Sequence, residues 1–280
     1  MGGVLSSSSE GGLYELSAAD FRFLCSLVYE HSGIVLGEAK RHMLYRRIMR
    51  RIRILKIDSF AGYCNYIRRN AQQELPAFIN AVTTNLTRFF REYHHFEYLK
   101  QEYLPQLKRA GSGRVRLWSA GCSTGEEAYS LAMCLRSVFA DHELDDKLIL
   151  ATDLDTEVLD VASQGCYPMS AVKDIAPAEQ ARYFLKDKRN ALCKVKPEIS
   201  TLIRFRQLNL LNEWPMRGQF DVIFCRNVLI YFDRETQYQV VSRLAQRLHS
   251  GGLLCLGHSE SLDRRVMGLV PVGRTMFRRQ

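Results

Sequence analysis

The stretch WSAGCSTGEEAYSLAM, residues 118–133, constrains this chain more than any other. Entered from the apolar run Val115 to Trp118, it reads as a strand, a glycine-bearing turn and a helix with acidic first residues. Gly121 and Gly125 can take backbone angles closed to other residues, so a ligand can lie close against the turn. Glu126 and Glu127 sit where a helix N-terminus favours negative charge. Phosphate is disfavoured there, because carboxylates repel it and no Lys-Ser/Thr pair follows the glycines. The turn suits a nucleoside ligand that carries positive charge. S-adenosylmethionine, a sulfonium with ribose and adenine, fits that description.

Downstream, KLILATD at 147–153 reads as a buried strand ending in an acid, followed by a helix from about Thr156 to Ser163. FDVIFCRN at 220–227 is another strand-to-loop unit, and a helix from Arg234 to His249 follows it. GGLLCLG at 251–257 and residues 272–278 complete the strands. Alternating strands and helices imply a mostly parallel, doubly wound, Rossmann-like sheet. Ligands of such sheets bind at the carboxyl ends of the strands, where Gly121, Asp153 and Asn227 all fall. Residues 167–206 break the alternation with Pro168, Pro177, Pro197 and a polar KDKRN run at 186–190. They read as an inserted subdomain of a short helix and small strands.

The first 110 residues look different. Residues 1–13 read as a flexible Gly/Ser tail, with Gly2 and Ser6 matching a permissive myristoylation pattern. Residues 14–110 carry helical periodicity: a capping-box variant at Ser17 and Asp20, a stop at Gly33, and a helix from about Glu38 to Leu55. Further helices are expected over 59–69, 73–84 and 94–108. The flexible break at 110–113 then separates this helical domain and its linker from an α/β domain over 114–280.

In the 38–55 helix, Leu44, Ile48, Ile52 and Leu55 share one face. Arg46, Arg50 and Arg53 share the opposite face, with Arg47 and Arg51 along an edge. Most charge runs are solvated surface. This one contains no acid with which to pair, and the arginine fork suits carboxylate or phosphate. Arg46, Arg50 and Arg53 are therefore the candidate docking face. The net charge of +9 over 280 residues agrees with an acidic partner: nucleic acid, an anionic membrane or a carboxylate-rich protein. No apolar run approaches the roughly 20 residues that cross a bilayer. The 8 cysteines are scattered singly with no Cys-x-x-Cys pair, which argues for reduced thiols in a cytoplasmic protein.

Asp153 ends a strand where an acid commonly accepts ribose hydroxyls, while Asp155 suits the role of helix cap. NAD binding would use the same logic, but the glycines at 121 and 125 lack the G-x-G-x-x-G spacing. Asn209 and Leu210 follow a strand over 203–208, where an amide and an apolar neighbour can edge an adenine; a plain turn asparagine is the competing reading. Arg226 and Asn227 are poorly placed for core packing, and Tyr231 just beyond can aim its hydroxyl at a reaction centre or simply be buried and satisfied. TTNLTRFFRE at 83–92 combines interdomain packing by Phe89 and Phe90 with polar side chains that are candidates for a lid over the ligand. His94, His95 and His258 show neither metal spacing nor a triad motif, and no G-x-S-x-G elbow is present.

Taken together, TNLTRFFRE at 84–92, residues 119–133, ATDLD at 151–155, NLL at 209–211, residues 220–232 and GHSE at 257–260 resemble the chemotaxis receptor methyltransferase family, CheR. The resemblance implies a class I methyltransferase fold with an inserted small β-subdomain, preceded by an all-helical domain. It implies transfer of a methyl group from S-adenosyl-L-methionine, leaving S-adenosyl-L-homocysteine, to glutamate carboxylates of chemoreceptors. By position it implies cofactor contacts at Asn85, Thr87, Arg91, Glu127, Asp153, Asn209, Leu210, Arg226 and Asn227, with Arg91 and Tyr231 nearest the transferred methyl. No metal is implied. The partner would be the acidic helical bundle of the receptor, met by a cytoplasmic bacterial monomer at receptor arrays.

The chemistry agrees. A glutamate of ordinary pKa near 4.3 is already ionised at pH 7 and needs no general base. Positioning and water exclusion remain, and these can supply roughly 7–11 kcal/mol. One departure stands out: some members bind a receptor tail peptide through a glycine-containing loop of the subdomain, and residues 186–193 here contain no glycine. A tether-independent enzyme is expected. The rivals are a nucleic-acid methyltransferase, which would more naturally carry an Asn-Pro-Pro-Tyr loop, and a non-catalytic S-adenosylmethionine sensor, against which Arg91 and Tyr231 weigh.

Overall fold

The computed structural model describes residues 14–280; the tail expectations for residues 1–13 lie outside the described residues. Two compact units divide between Thr83 and Thr84.

The first unit is helical: α1 (Ala18–Ser32), α2 (Arg41–Leu55), α3 (Phe60–Arg69) and α4 (Ala71–Val82). Ser17 caps α1 by accepting from the Asp20 N–H, and Gly33 ends it in a left-handed conformation. The α2 pattern folds as its spacing predicts, with Leu44, Ile48, Met49 and Ile52 buried. The arginine run needs correction. Arg51 forms a two-pronged pair with Glu74 of α4, at 2.9 and 2.6 Å, and Tyr63 donates to the same carboxylate at 2.8 Å. Arg47 donates to the carbonyls of Val82 and Thr83. Those two arginines hold the unit together, whereas Arg46, Arg50 and Arg53 are exposed.

The second unit opens with α5 (His94–Tyr98), a π-type turn and α6 (Leu104–Arg109). Then come β1 (Val115–Ala120), α7 (Glu126–Val138), β2 (Lys147–Asp153), α8 (Thr156–Gln164) and β3 (Cys166–Pro168). After these lie α9 (Pro177–Tyr183), β4 (Phe184–Asp187), β5 (Leu192–Val195), α10 (Pro197–Ser200), β6 (Ile203–Gln207) and β7 (Phe220–Cys225). The chain finishes with α11 (Arg234–Gln246), β8 (Leu248–Leu256), β9 (Leu269–Gly273) and β10 (Met276–Arg279).

The 94–109 helices, expected to belong with the helical domain, pack in this unit instead. Phe96, Leu99, Tyr103 and Leu104 are buried in the same apolar cluster as Leu117, Ile149 and Val222 of the sheet. The boundary therefore lies at 83/84, ahead of the 110–113 break.

The main sheet has 7 strands in the order β6-β2-β1-β7-β8-β10-β9. β6, β2, β1, β7 and β8 are mutually parallel, and β10 runs antiparallel to both its neighbours. Period-two alternation sorts the side chains. Leu117, Val222 and Phe224 enter the cluster shared with α7, while Trp118, Ile223 and Cys225 enter the cluster shared with Val240 and Leu244 of α11. Burial on both faces explains why these strands read as continuous apolar runs. The inserted subdomain is a separate 3-stranded antiparallel sheet, β3-β5-β4. It ends sooner than expected, because residues 203–207 join the main sheet beside β2. Among the described residues no helix is long and apolar enough to cross a membrane.

Candidate active site

Parallel register brings the ends of β2, β1 and β7 side by side: Ala120 lies opposite Thr152, and Ser119 opposite Phe224. The chain leaves β1 at Gly121, whose φ is 98°, and donates from Gly121 N and Cys122 N to the Thr152 carbonyl at 2.8 and 2.9 Å. A Cβ at Gly121 would collide with Val228, so the turn after β1 and the turn after β7 are in close approach. The room that the sequence reading reserves for a ligand at Gly121 is taken by the Val228 side chain, so this glycine serves the contact between the two turns.

Asp153 is gripped by its neighbours. Its Oδ2 accepts from Ser123 N at 2.8 Å and its Oδ1 from Asp155 N at 3.0 Å. A carboxylate offers about four acceptor sites, and the backbone N–H groups of Ser123, Leu154 and Asp155 leave capacity for a hydroxyl. Burial pushes the Asp153 carboxyl up, and the backbone N–H groups oppose that shift. Asp155 caps α8, accepting from Glu157 N and Val158 N, as its position predicts. It also accepts from Asn85 Nδ2 at 2.7 Å, and Ser123 Oγ donates to the Asn85 carbonyl at 2.8 Å. Asn85 and Asp153 are therefore brought together through Ser123 and Asp155. Thr87 lies half-buried in the same 84–92 loop.

A second group surrounds Arg226. Its side chain is 1% exposed, and the guanidinium sits between Glu127 (Nη1 to Oε2, 3.2 Å) and Glu92 (Nη2 to Oε2, 3.3 Å). It also donates to the Arg91 carbonyl. The rings of Phe96 and Phe224 lie 5.6 and 5.5 Å away. The expectation that Arg226 is poorly placed for packing is thus wrong for its side chain, which is a buried brace. Ser119 Oγ donates to the other oxygen of Glu127 at 2.7 Å. Burial is the main cause that raises the Glu127 carboxyl, and Arg226 opposes it. Asn227 takes a left-handed φ of 60°, and its Nδ2 lies 3.4 Å from Glu92 Oε1.

Arg91 donates from Nη1 to the Leu86 carbonyl at 2.8 Å, and among the described residues it forms no ion pair within 4.0 Å. The hydroxyl of Tyr231, half-buried, donates to the Thr84 carbonyl at 3.5 Å. The loops 84–92 and 226–231 are thus tied at both ends, with Arg91 and Tyr231 carried on them. Asn209 uses its Oδ1 in a turn, accepting from Leu211 N at 3.0 Å. The strand before it stays in register with Asp153, whose carbonyl accepts from Leu208 N at 2.9 Å. Leu210 is buried in the α11-side cluster, and its carbonyl accepts from Trp214 and Arg243, so its side chain packs the core.

Burial lowers His95 to about 3, with Arg226 adding to the effect, so that imidazole is neutral. Glu92 and Glu260, which brace this region, are not singled out by the sequence. Glu92 sits at a left-handed φ of 56°, and Glu260 lies 6% exposed beneath the turn after β7. Their only sequence signal is membership of the 84–92 and 257–260 motifs.

The residues fit S-adenosylmethionine on three counts. The turns after β1 and β7 meet at Gly121 and Val228, Asp153 keeps acceptor capacity at the end of β2, and the Glu127 carboxylate, held by Ser119 and Arg226, stands at the start of α7. The chain matches the family described as CheR methyltransferase, SAM binding domain, over residues 85–274, and CheR methyltransferase, all-alpha domain, over residues 19–83. It is 41% identical over 266 residues to the chemotaxis protein methyltransferase of Salmonella typhimurium, covering 94% of this chain and 90% of that one. The Escherichia coli K12 protein of the same name is also 41% identical, covering 94% and 91%. Chemotaxis protein methyltransferase 2 of Pseudomonas aeruginosa is 39% identical over 268 residues, 94% of each chain.

Proposed function

From the CheR methyltransferase family, to which this chain belongs, we propose that it methylates glutamate side chains of chemoreceptors, using S-adenosylmethionine. The observation that carries this reading is the cluster of acceptors at adjacent strand ends, Asp153 beside the Gly121 turn and Glu127 held by Ser119 and Arg226. When bound, S-adenosylmethionine supplies an electrophilic methyl on a sulfonium and leaves as S-adenosylhomocysteine.

The chain's residues then have these parts. Asp153 accepts ribose hydroxyls. Asn85, Thr87, Asn209, Asn227 and the backbone at Leu210 and Arg226 enclose the nucleoside and amino-acid ends. Glu127, braced by Arg226, faces the positive charge. Arg91 orients the incoming carboxylate through its remaining donors, and Tyr231 keeps donor and acceptor in line. No residue has to remove a proton, because the acceptor glutamate is ionised at pH 7. The experiment is incubation with labelled S-adenosylmethionine and receptor-rich membranes, followed by alkali. Volatile methanol marks a carboxyl ester; label that stays bound to protein after alkali overturns the reading.

The enzyme acts as a monomer in the cytoplasm at receptor arrays and meets an acidic helical bundle through Arg46, Arg50 and Arg53. Reversing Arg46 and Arg50 to Glu should raise the KM for receptor about tenfold or more, as rim charges acting on encounter do, and leave cofactor affinity unchanged. Equal loss of cofactor affinity would show that the substitutions act elsewhere.

Docking needs no receptor tail. The β4–β5 connection is a short turn closed on itself, with Asp187 accepting from the N–H groups of Arg189 and Asn190 at 3.0 and 3.3 Å and from Asn190 Nδ2 at 2.7 Å. Calorimetric titration of a receptor tail peptide is expected to give no heat of binding. Micromolar affinity would sink tether independence.

A further inference from the structure

The turn after β7 is held by a buried side chain, that of Glu260. Glu260 Oε1 accepts from Val228 N at 2.8 Å and Leu229 N at 2.7 Å, while Oε2 accepts from Asn227 N at 2.9 Å and from Gly257 N. Three successive N–H groups, with Asn227 left-handed and Val228 right-handed, form a concavity of the kind that binds anions. Here the anion is internal. Four N–H donors occupy the acceptor sites of the carboxylate, so Glu260 has no capacity left for a ligand. A Cβ at Gly257 would lie 2.7 Å from Asn227 Nδ2 and 2.8 Å from Glu260 Oε2, so the end of β8 and the turn are in van der Waals contact.

We infer that Glu260 is a positioning residue for methyl transfer: its carboxylate fixes the 227–231 turn, and so sets where Asn227 meets the cofactor and where Tyr231 stands. The inference rests on the functional reading above and deepens it. A merely structural Glu260 would affect melting but not kinetics in folded enzyme. A positioning Glu260 affects both, because a displacement near 1 Å in a supporting element can cost on the order of 10²-fold in rate.

The test compares Glu260→Gln and Glu260→Asp with Glu74→Gln, a buried carboxylate variant in the helical unit. Glu260→Gln turns one oxygen into a donor facing two N–H groups. In the ligand-free protein, amide exchange at Asn227, Val228 and Leu229 should quicken about tenfold, as loss of a buried hydrogen bond implies. Well below the melting temperature, kcat/KM should fall on the order of 10²-fold, with Glu260→Asp intermediate because it retains both oxygens on a shorter arm. Glu74→Gln should lower the melting temperature while leaving S-adenosylhomocysteine affinity and exchange at 227–229 as in wild type.

Wild-type kinetics in a folded Glu260→Gln would overturn the inference. Should that variant fail to fold, wild-type kinetics and exchange in Glu260→Asp would overturn it equally. Failure of the unmodified protein to bind S-adenosylhomocysteine would instead strike the functional reading, whatever the variants do.

Discussion

Arg91→Ala is expected to lower kcat for methyl transfer by about 10²–10³-fold, the usual cost of removing one preorganised donor from a reaction centre. The guanidinium spends one donor on the Leu86 carbonyl, and its own carbonyl is held by Arg226, so backbone and side chain are both anchored before substrate arrives. The remaining donors form a planar fork that fits two carboxylate oxygens. Lysine lacks that fork, so Arg91→Lys should recover little. Cofactor affinity should fall much less than the rate, because Asp153 and Glu127 hold their geometry without Arg91. Initial rates with labelled S-adenosylmethionine, set beside calorimetry with S-adenosylhomocysteine, separate the two effects. Full turnover by Arg91→Ala would remove the residue from the reaction.

The sheet and its ligand end were legible because the signals were local. KLILATD carries an apolar run and its terminal acid in seven consecutive residues, and the pairing of β2 between β1 and β6 puts Asp153 at the predicted edge. The α2 face was legible for the same reason, since Leu44, Ile48 and Ile52 lie one helical turn apart. What escaped depends on partners distant in sequence. Arg51 looked unpaired because its acid, Glu74, lies on another helix. The 94–109 helices show an apolar stripe, but a stripe does not say which of two cores it covers; the burial of Phe96 and Leu104 against the sheet decides that. Glu92 acquires a role only through a left-handed turn and an arginine 134 positions away. Glu260 acquires one only because β8 returns beside β7.

That long-range wiring makes Arg226→Met the variant with the largest expected effect on stability. Methionine suits the space between the Phe96 and Phe224 rings, so packing is largely kept and the loss is electrostatic. Two buried carboxylates, Glu92 and Glu127, would remain without their cation. Removing one member of a buried pair costs about 3–5 kcal/mol, and the melting temperature should drop on the order of 10 °C. The pH dependence gives the sign. Burial already raises the Glu127 carboxyl against the pull of Arg226, and loss of that pull raises it further. Between the unfolded carboxylate value near 4.3 and the raised folded value, the native variant binds more protons than the unfolded chain, so its stability falls as pH rises through that window. The deficit against wild type should be full at pH 8 and smaller at pH 5. Thermal melts of both proteins at the two pH values test this; a deficit that is equal, or larger at pH 5, would show that cavity formation dominates. Glu127→Gln added to Arg226→Met should recover part of the loss, since it removes one of the stranded charges while keeping an acceptor for Ser119.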